Sequence, residues 1–296
     1  MIRVGTAGWQ YKDWAGIVYP AKKPKGFDPL AYLARYFDTV EINTSYYGPP
    51  RPGTAKKWLE SVADNLAFRF TGKLYRCFTH ERNATQEDER LVKEGFAPLL
   101  EAARLGAVLM QFPWSFKNTA ENREYVTRLR RRFGEYPMVL EVRHASWVEV
   151  GVLDWLEQID LGLCNIDQPL FKRSITPGAA ATTSVGYIRL HGRNYKNWFS
   201  ENADVRERYD YLYSVDELAP WVDRVKSIAS RTRDTYAISN NHNLGKAAAN
   251  SIELESLLRG EPVPAPEELV QRYSELADFV CPNGGAPKVP QANRAQ

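Results

Sequence analysis

Charged and amide side chains recur two residues apart at the ends of short apolar runs: Glu41 and Asn43, Glu141 and Arg143, Asn165 and Asp167, Arg189 and His191. If these runs are strands, positions i and i+2 share a face. Each polar pair then points to one side, and Ile42, Val142, Ile166 and Leu190 point to the other. Lys73 and Gln111 end two further runs in the same way. Two carboxylates from different strands are the minimum apparatus for general acid/base cleavage of a glycosidic or similar acetal bond. Glu41 and Glu141 lead that reading, with Asp167 and His191 as further catalytic candidates. Arg143 beside Glu141 would keep that carboxylate ionised, while a less tightly paired glutamate keeps its proton. Lys73, Arg143 and Arg189 add an anion-binding side, suited to a phosphorylated or acidic sugar or to a nucleotide.

All four histidines, His80, His144, His191 and His242, fall just after predicted strands, where imidazole serves as acid, base, donor or ligand. Aromatic residues crowd the same loops: Trp9, Tyr11, Trp14, Tyr46, Tyr47, Trp114, Trp147, Tyr195 and Trp198. Ordinary loop packing accounts for some of them, and a stacking rim for a sugar ring or base is the sharper reading. The expected ligand-contacting set is Trp9, Asn43, Tyr47, Lys73, His80, Gln111, Arg143, His144, Arg189, Asn240 and Asn241. The competing reading is a salt-bridge plug, with Glu41, Glu141 and Asp167 offset by Lys73, Arg143 and Arg189. Buried ion pairs seldom outdo an apolar core in stability, so this many ions at one face favours a site.

The elements that must position these residues follow from periodicity. The apolar runs are 2–6, 39–42, 67–71, 107–112, 138–142, 161–166, 187–190 and 235–239, and amphipathic helical stretches lie between them. Such alternation implies βαβ units and a parallel sheet. Eight units in this length predict a TIM-barrel-like (β/α)8 domain over residues 1–280, with its polar site at the carboxyl ends of the strands. A doubly wound sheet shares the alternation, but Gly5-Thr6-Ala7-Gly8 lacks the third glycine of a dinucleotide loop. Residues 281–296, rich in Pro, Gly, Ala and Asn, are expected to be a disordered tail. The stretch 191–214 is long for a loop in such a fold, and loops of that length often act as lids.

Composition narrows the class. A formal charge of +3 is too small to argue for nucleic acid. The run Arg128, Arg130, Arg131 and Arg132 reads as a solvated helix face. Cys77, Cys164 and Cys281 have neither disulfide nor zinc-ligand spacing, and no run is long enough to span a bilayer. A cytoplasmic protein is expected, with a small anionic or sugar-like ligand, no membrane association and no cofactor. Two alternatives stay open. One is a metal-assisted phosphodiesterase or nuclease using Glu41, Glu141, Asp167 and His191 as ligands to a divalent metal. The other is a non-catalytic protein that binds an anionic ligand.

The motifs together resemble the family known as domain of unknown function 72, or YecE-like. The resemblance rests on Gly5-Thr6-Ala7-Gly8-Trp9-Gln10-Tyr11 with Trp14 and Tyr19-Pro20, and on Val40-Glu41-Ile42-Asn43 with Tyr47. It continues through Lys73, Thr79-His80, Gln111-Phe112-Pro113 with Ser115-Phe116, and Glu141-Val142-Arg143-His144 with Ser146-Trp147. Asp167 with Pro169, Arg189-Leu190-His191-Gly192 and Asn240-Asn241 complete it, so the match runs over about residues 1–260. It implies a barrel related to the (β/α)8 type and supplies no reaction. One departure is Ala237-Ile238-Ser239, where the family more often carries an aromatic before the paired asparagines.

Overall fold

The eight apolar runs become eight parallel strands: β1 (Ile2–Ala7), β2 (Thr39–Ile42), β3 (Arg69–Lys73), β4 (Leu105–Gln111), β5 (Met138–Glu141), β6 (Gly162–Asp167), β7 (Val185–Leu190) and β8 (Asp234–Ser239). In this computed structural model, which describes residues 1–198 and 205–282, each strand pairs with its neighbours in chain order. β8 pairs with β1, so the barrel is closed. The expected tail, 281–296, lies outside the described residues except for Cys281 and Pro282.

Helices follow most strands because apolar residues recur at helical spacing there and their ends are capped. Thr85 and Asp88 form a reciprocal cap at the start of the helix Gln86–Glu101. Ser214 and Glu217 do the same for Val215–Ala229. The latter buries Leu218, Trp221, Val222, Val225 and Ile228 against the outside of the sheet. The connection from β6 to β7 carries no helix. Its residues include Pro169, Pro177 and Gly178, which break helical continuation. That gap in the outer layer decides where Asn165 of β6 turns.

Residues paired across adjacent parallel strands face the same side, so the register maps the barrel interior. Ala7 pairs Glu41, Glu41 pairs Thr71, and Gln111 pairs Glu141. Ile166 pairs Arg189, which in turn pairs Ile238. Lower in the barrel Tyr187 pairs both Cys164 and Tyr236. The interior is therefore filled by side chains, as a closed eight-stranded barrel requires. Gly106 makes room for one of them: a Cβ there would lie 2.2 Å from the Tyr236 hydroxyl.

Candidate active site at the barrel mouth

β7 supplies the central group. Tyr187, Arg189 and His191 alternate inward from this strand, and all three are fully buried. Arg189 donates from Nη1 to Glu141 Oε2 at 2.6 Å and from Nη2 to Glu41 Oε1 at 2.8 Å. The other Glu41 oxygen accepts from the Tyr187 hydroxyl at 2.9 Å, which also contacts Thr71 Oγ1 at 2.7 Å. Glu141 Oε1 accepts from Arg143 at 2.8 Å and lies 3.1 Å from His191 Nε2. One guanidinium thus bridges the two glutamates that the sequence proposes as an open acid/base pair.

Burial alone would raise the Glu141 carboxyl, but Arg189, His191 and Arg143 hold it well below the usual carboxylate range. His191 is pushed down to about 3, first by burial and then by the two arginines, against the pull of Glu141. A neutral imidazole fits its partners. Nε2–H faces Glu141, and Nδ1 accepts from the Asn240 amide at 3.0 Å. Asn240 thereby belongs to the mouth, where its amide fixes the His191 ring.

Above this layer the mouth is lined by Lys73, Tyr46, His80, Gln111, Arg143 and aromatic residues of the long loop. Lys73 sits at the end of β3, half-buried, with Nζ 4.4 Å from the centre of the Tyr46 ring. Burial, and then Arg189, lowers its pKa to about 8. His80 meets the same Tyr46 ring edge-on at 5.0 Å and is held near 4 by burial and by Lys73. A cavity of about 200 Å³ is lined by Gln111, Pro113, Trp114, Arg143, Trp198, Arg208 and Tyr209. Trp198 lies edge-on to His191 at 6.2 Å and under the Arg143 guanidinium at 5.4 Å. The described ends of the 191–214 stretch therefore cover the deep polar layer.

Several sequence expectations are corrected. Asp167 turns outward: it pairs with Leu190 in register, while Ile166 faces in beside Arg189. Its carboxylate accepts from Arg193 at 2.8 and 2.7 Å, Tyr213 at 3.0 Å and Trp221 at 2.7 Å, all away from Glu41 and Glu141. Asn165 also faces out and exchanges two hydrogen bonds with the Ala180 backbone. Asp167 meets side-chain donors, Trp221 of the helix Val215–Ala229 among them; for Asn165 the cause is the missing helix after β6. Loop backbone lies there instead, and its polar groups require polar partners. Asn241 packs outward as well, donating to the Tyr211 carbonyl and to Asn250. Trp9 is buried and edge-on to Trp58 at 5.5 Å, so it belongs to the core rather than to a stacking rim.

His144 caps a short turn, accepting from the Ser146 amide at 3.1 Å, and lies edge-on to Trp114 at 5.9 Å. Asn43 reaches the Tyr11 hydroxyl at 3.5 Å, and Tyr47 stands exposed at the rim against Tyr46. The arginine run lies on the helix Ala120–Arg132. There Arg128, Arg130 and Arg132 are paired with Glu124, Asp160 and Glu89. Sequence reasoning missed Tyr187 and Thr71, although Tyr187 lies in phase with Arg189 and His191. It also missed Tyr209, which carries no pattern of its own.

The proposed metal ligands do not form a set. Asp167 faces away from the others, and Arg189 occupies both Glu41 and Glu141. Among the described residues no group of three or more His, Cys, Asp or Glu is placed to hold a metal ion. No described helix is long and apolar enough to cross a membrane.

A closed parallel (β/α) barrel with an ion-rich mouth at its carboxyl face defines the class. A family model described as "Protein of unknown function DUF72" matches residues 3–271, and the chain belongs to that family. UPF0759 protein YunF of Bacillus subtilis is 27% identical over 279 residues, covering 87% of this chain and 95% of that protein. UPF0759 protein YecE of Escherichia coli K12 is 30% identical over 154 residues, about half of each chain (51% and 52%). A DUF72 family protein from Thermotoga maritima superposes with a TM-score of 0.76 at 33% identity, covering 88% of this chain and 99% of its own. One from Enterococcus faecalis gives 0.77 at 27% identity, covering 88% and 96%.

Proposed function

We propose that the barrel mouth binds a small anionic metabolite, a phosphorylated or carboxylated sugar or a nucleotide, above a charged floor of Glu41, Arg189 and Glu141. One observation carries the reading. With Asp167 turned outward onto Arg193, three cations at the strand ends, Lys73, Arg143 and Arg189, face two carboxylates there, Glu41 and Glu141. Arg143 lines a cavity with Gln111, Trp114 and Tyr209 in its wall, suited to a polar ligand with an apolar face. Hydrolysis by Glu41 and Glu141 has less support, because neither oxygen pair faces an open gap and both accept from the same guanidinium. A cytoplasmic location fits three cysteines that form no bridge.

Calorimetric titration with inorganic phosphate and with glucose 6-phosphate tests the proposal. Binding is expected, and Arg143→Gln should weaken it by about 10- to 100-fold, the range of one charge-assisted contact. The reading fails if neither ligand binds, or if Arg143→Gln binds as the parent does.

A further inference from the structure

Of the three cations at the strand ends, Arg189 donates to two carboxylates and Arg143 to one. Lys73 has no carboxylate within ion-pair distance among the described residues. Its amine instead lies over a phenol ring, at the end of β3, where barrel folds present reacting groups. We propose that Lys73 captures carbonyl compounds, its amine adding to the C=O carbon of a small anionic aldehyde or ketone whose anionic group is held by Arg143. The step needs no co-reactant. The N–C bond forms as the π pair moves to oxygen, and one N–H proton follows it to give a carbinolamine. The second N–H proton and the hydroxyl then leave as water, with an imine remaining on Lys73.

The surroundings suit the attack. A free amine is the nucleophile, and burial next to Arg189 lowers the Lys73 pKa to about 8. At pH 7 about one molecule in ten then carries the free amine, against about one in 2,500 for an ordinary lysine near 10.4. The Tyr46 ring contacts both Lys73 and His80, and the His80 imidazole is kept neutral by burial and by Lys73. His80 Nδ1 is engaged by Thr79 Oγ1 at 3.0 Å, which fixes the ring.

This inference rests on the anion-binding reading for its choice of ligand but not for the reactivity of the amine, so two probes separate them. The full-length protein is incubated at pH 7 with pyridoxal 5′-phosphate or with propanal, reduced with cyanoborohydride, and mapped by peptide mass spectrometry. Both probes are expected to label Lys73 ahead of the exposed lysines. Inorganic phosphate and Arg143→Gln should each cut labelling by the phosphorylated probe about tenfold, and labelling by propanal by less. Lys73→Arg should remove the label while keeping the charge. Labelling spread over surface lysines by both probes overturns the inference. Labelling of Lys73 by both probes without phosphate competition upholds the amine and overturns the anion-binding reading. Should Lys73→Arg fail to fold, the propanal pH profile of the parent decides: a midpoint near 8 supports the inference, and one near 10 overturns it.

Discussion

Replacing Arg189 with Met should cost the protein about 3–5 kcal/mol. The residue is 1% exposed and the glutamates it joins are both 0% exposed, so its removal strands two carboxylates out of reach of water. Breaking a buried ion pair from one side typically costs that amount. Two carboxylates are affected, but the losses do not simply double. Glu141 keeps Arg143 at 2.8 Å, and Glu41 keeps the Tyr187 hydroxyl at 2.9 Å. Against a typical total of about 5–15 kcal/mol the loss is a large fraction, and at about 2 °C per kcal/mol for a chain of this size Tm falls about 6–10 °C. Urea unfolding at pH 7 measures it, with an unchanged m-value showing that the midpoint alone has moved. The cause is checked by neutralising the stranded groups: adding Glu41→Gln and Glu141→Gln to Arg189→Met should recover more than half of the loss. A loss below about 1 kcal/mol would refute the argument, as would a triple variant no more stable than Arg189→Met.

Three further outcomes follow from the same geometry. Asp167→Asn should lower stability by about 2–3 kcal/mol, through its bonds to Arg193, Tyr213 and Trp221, while phosphate affinity stays within about twofold; a lost titration signal in a folded variant would return Asp167 to the site. Folded His191 is held near 3 and an unfolded histidine titrates near 6.5, so the unfolded chain binds more protons between those limits and stability falls as pH drops through them. His191→Asn should flatten the urea-midpoint slope between pH 6.5 and 4.5 by up to about 1.4 kcal/mol per pH unit, and an unaltered slope counts against a neutral buried ring. Gly106→Ala should cost about 1–3 kcal/mol by pressing its methyl group on the Tyr236 hydroxyl inside the barrel, read as a drop in Tm; an unchanged Tm would mean the ring has room to move.

Most of the barrel was legible because its signal is repetitive. Eight apolar runs separated by helical periodicity leave few parallel arrangements, and each expected run overlaps an observed strand. Period two placed Glu41, Glu141, Arg143, Arg189 and His191 on the inner face, since each alternates with an apolar residue covered from outside. Less legible was the engagement of Glu41 with Glu141 through one arginine. Alternation gives the side a residue faces, but the reach of a guanidinium across the barrel depends on shear and on interior volume. The roles of Trp9 and Tyr47 were equally hidden. One packs beneath the loops on Trp58 and the other stands in solvent, and nothing in their spacing separates the two.

β6 shows where the polar-inside rule breaks and why that matters for function. The rule assumes that a helix covers the outside of every strand, so that any polar residue must belong to the interior. After β6 no helix forms, so Asn165 meets loop backbone at Ala180, while Asp167 meets the polar donors of Arg193, Tyr213 and Trp221, the last on the helix Val215–Ala229. There a polar side chain is the fitting choice, and Asn165 and Asp167 face out while Cys164 and Ile166 line the interior. The change of face alters the charge of the mouth. With Asp167 inside, three carboxylates would cancel three cations, and a sealed plug would explain the ions as well as a site does. With Asp167 outside, Arg189 pairs with both remaining carboxylates, Arg143 shares one of them, and among the described residues Lys73 has a ring instead of an ion pair. A purely structural plug would have matched that last charge; an amine lying over a ring is what the proposed pocket for an anion, and for a carbonyl carried on one, calls for.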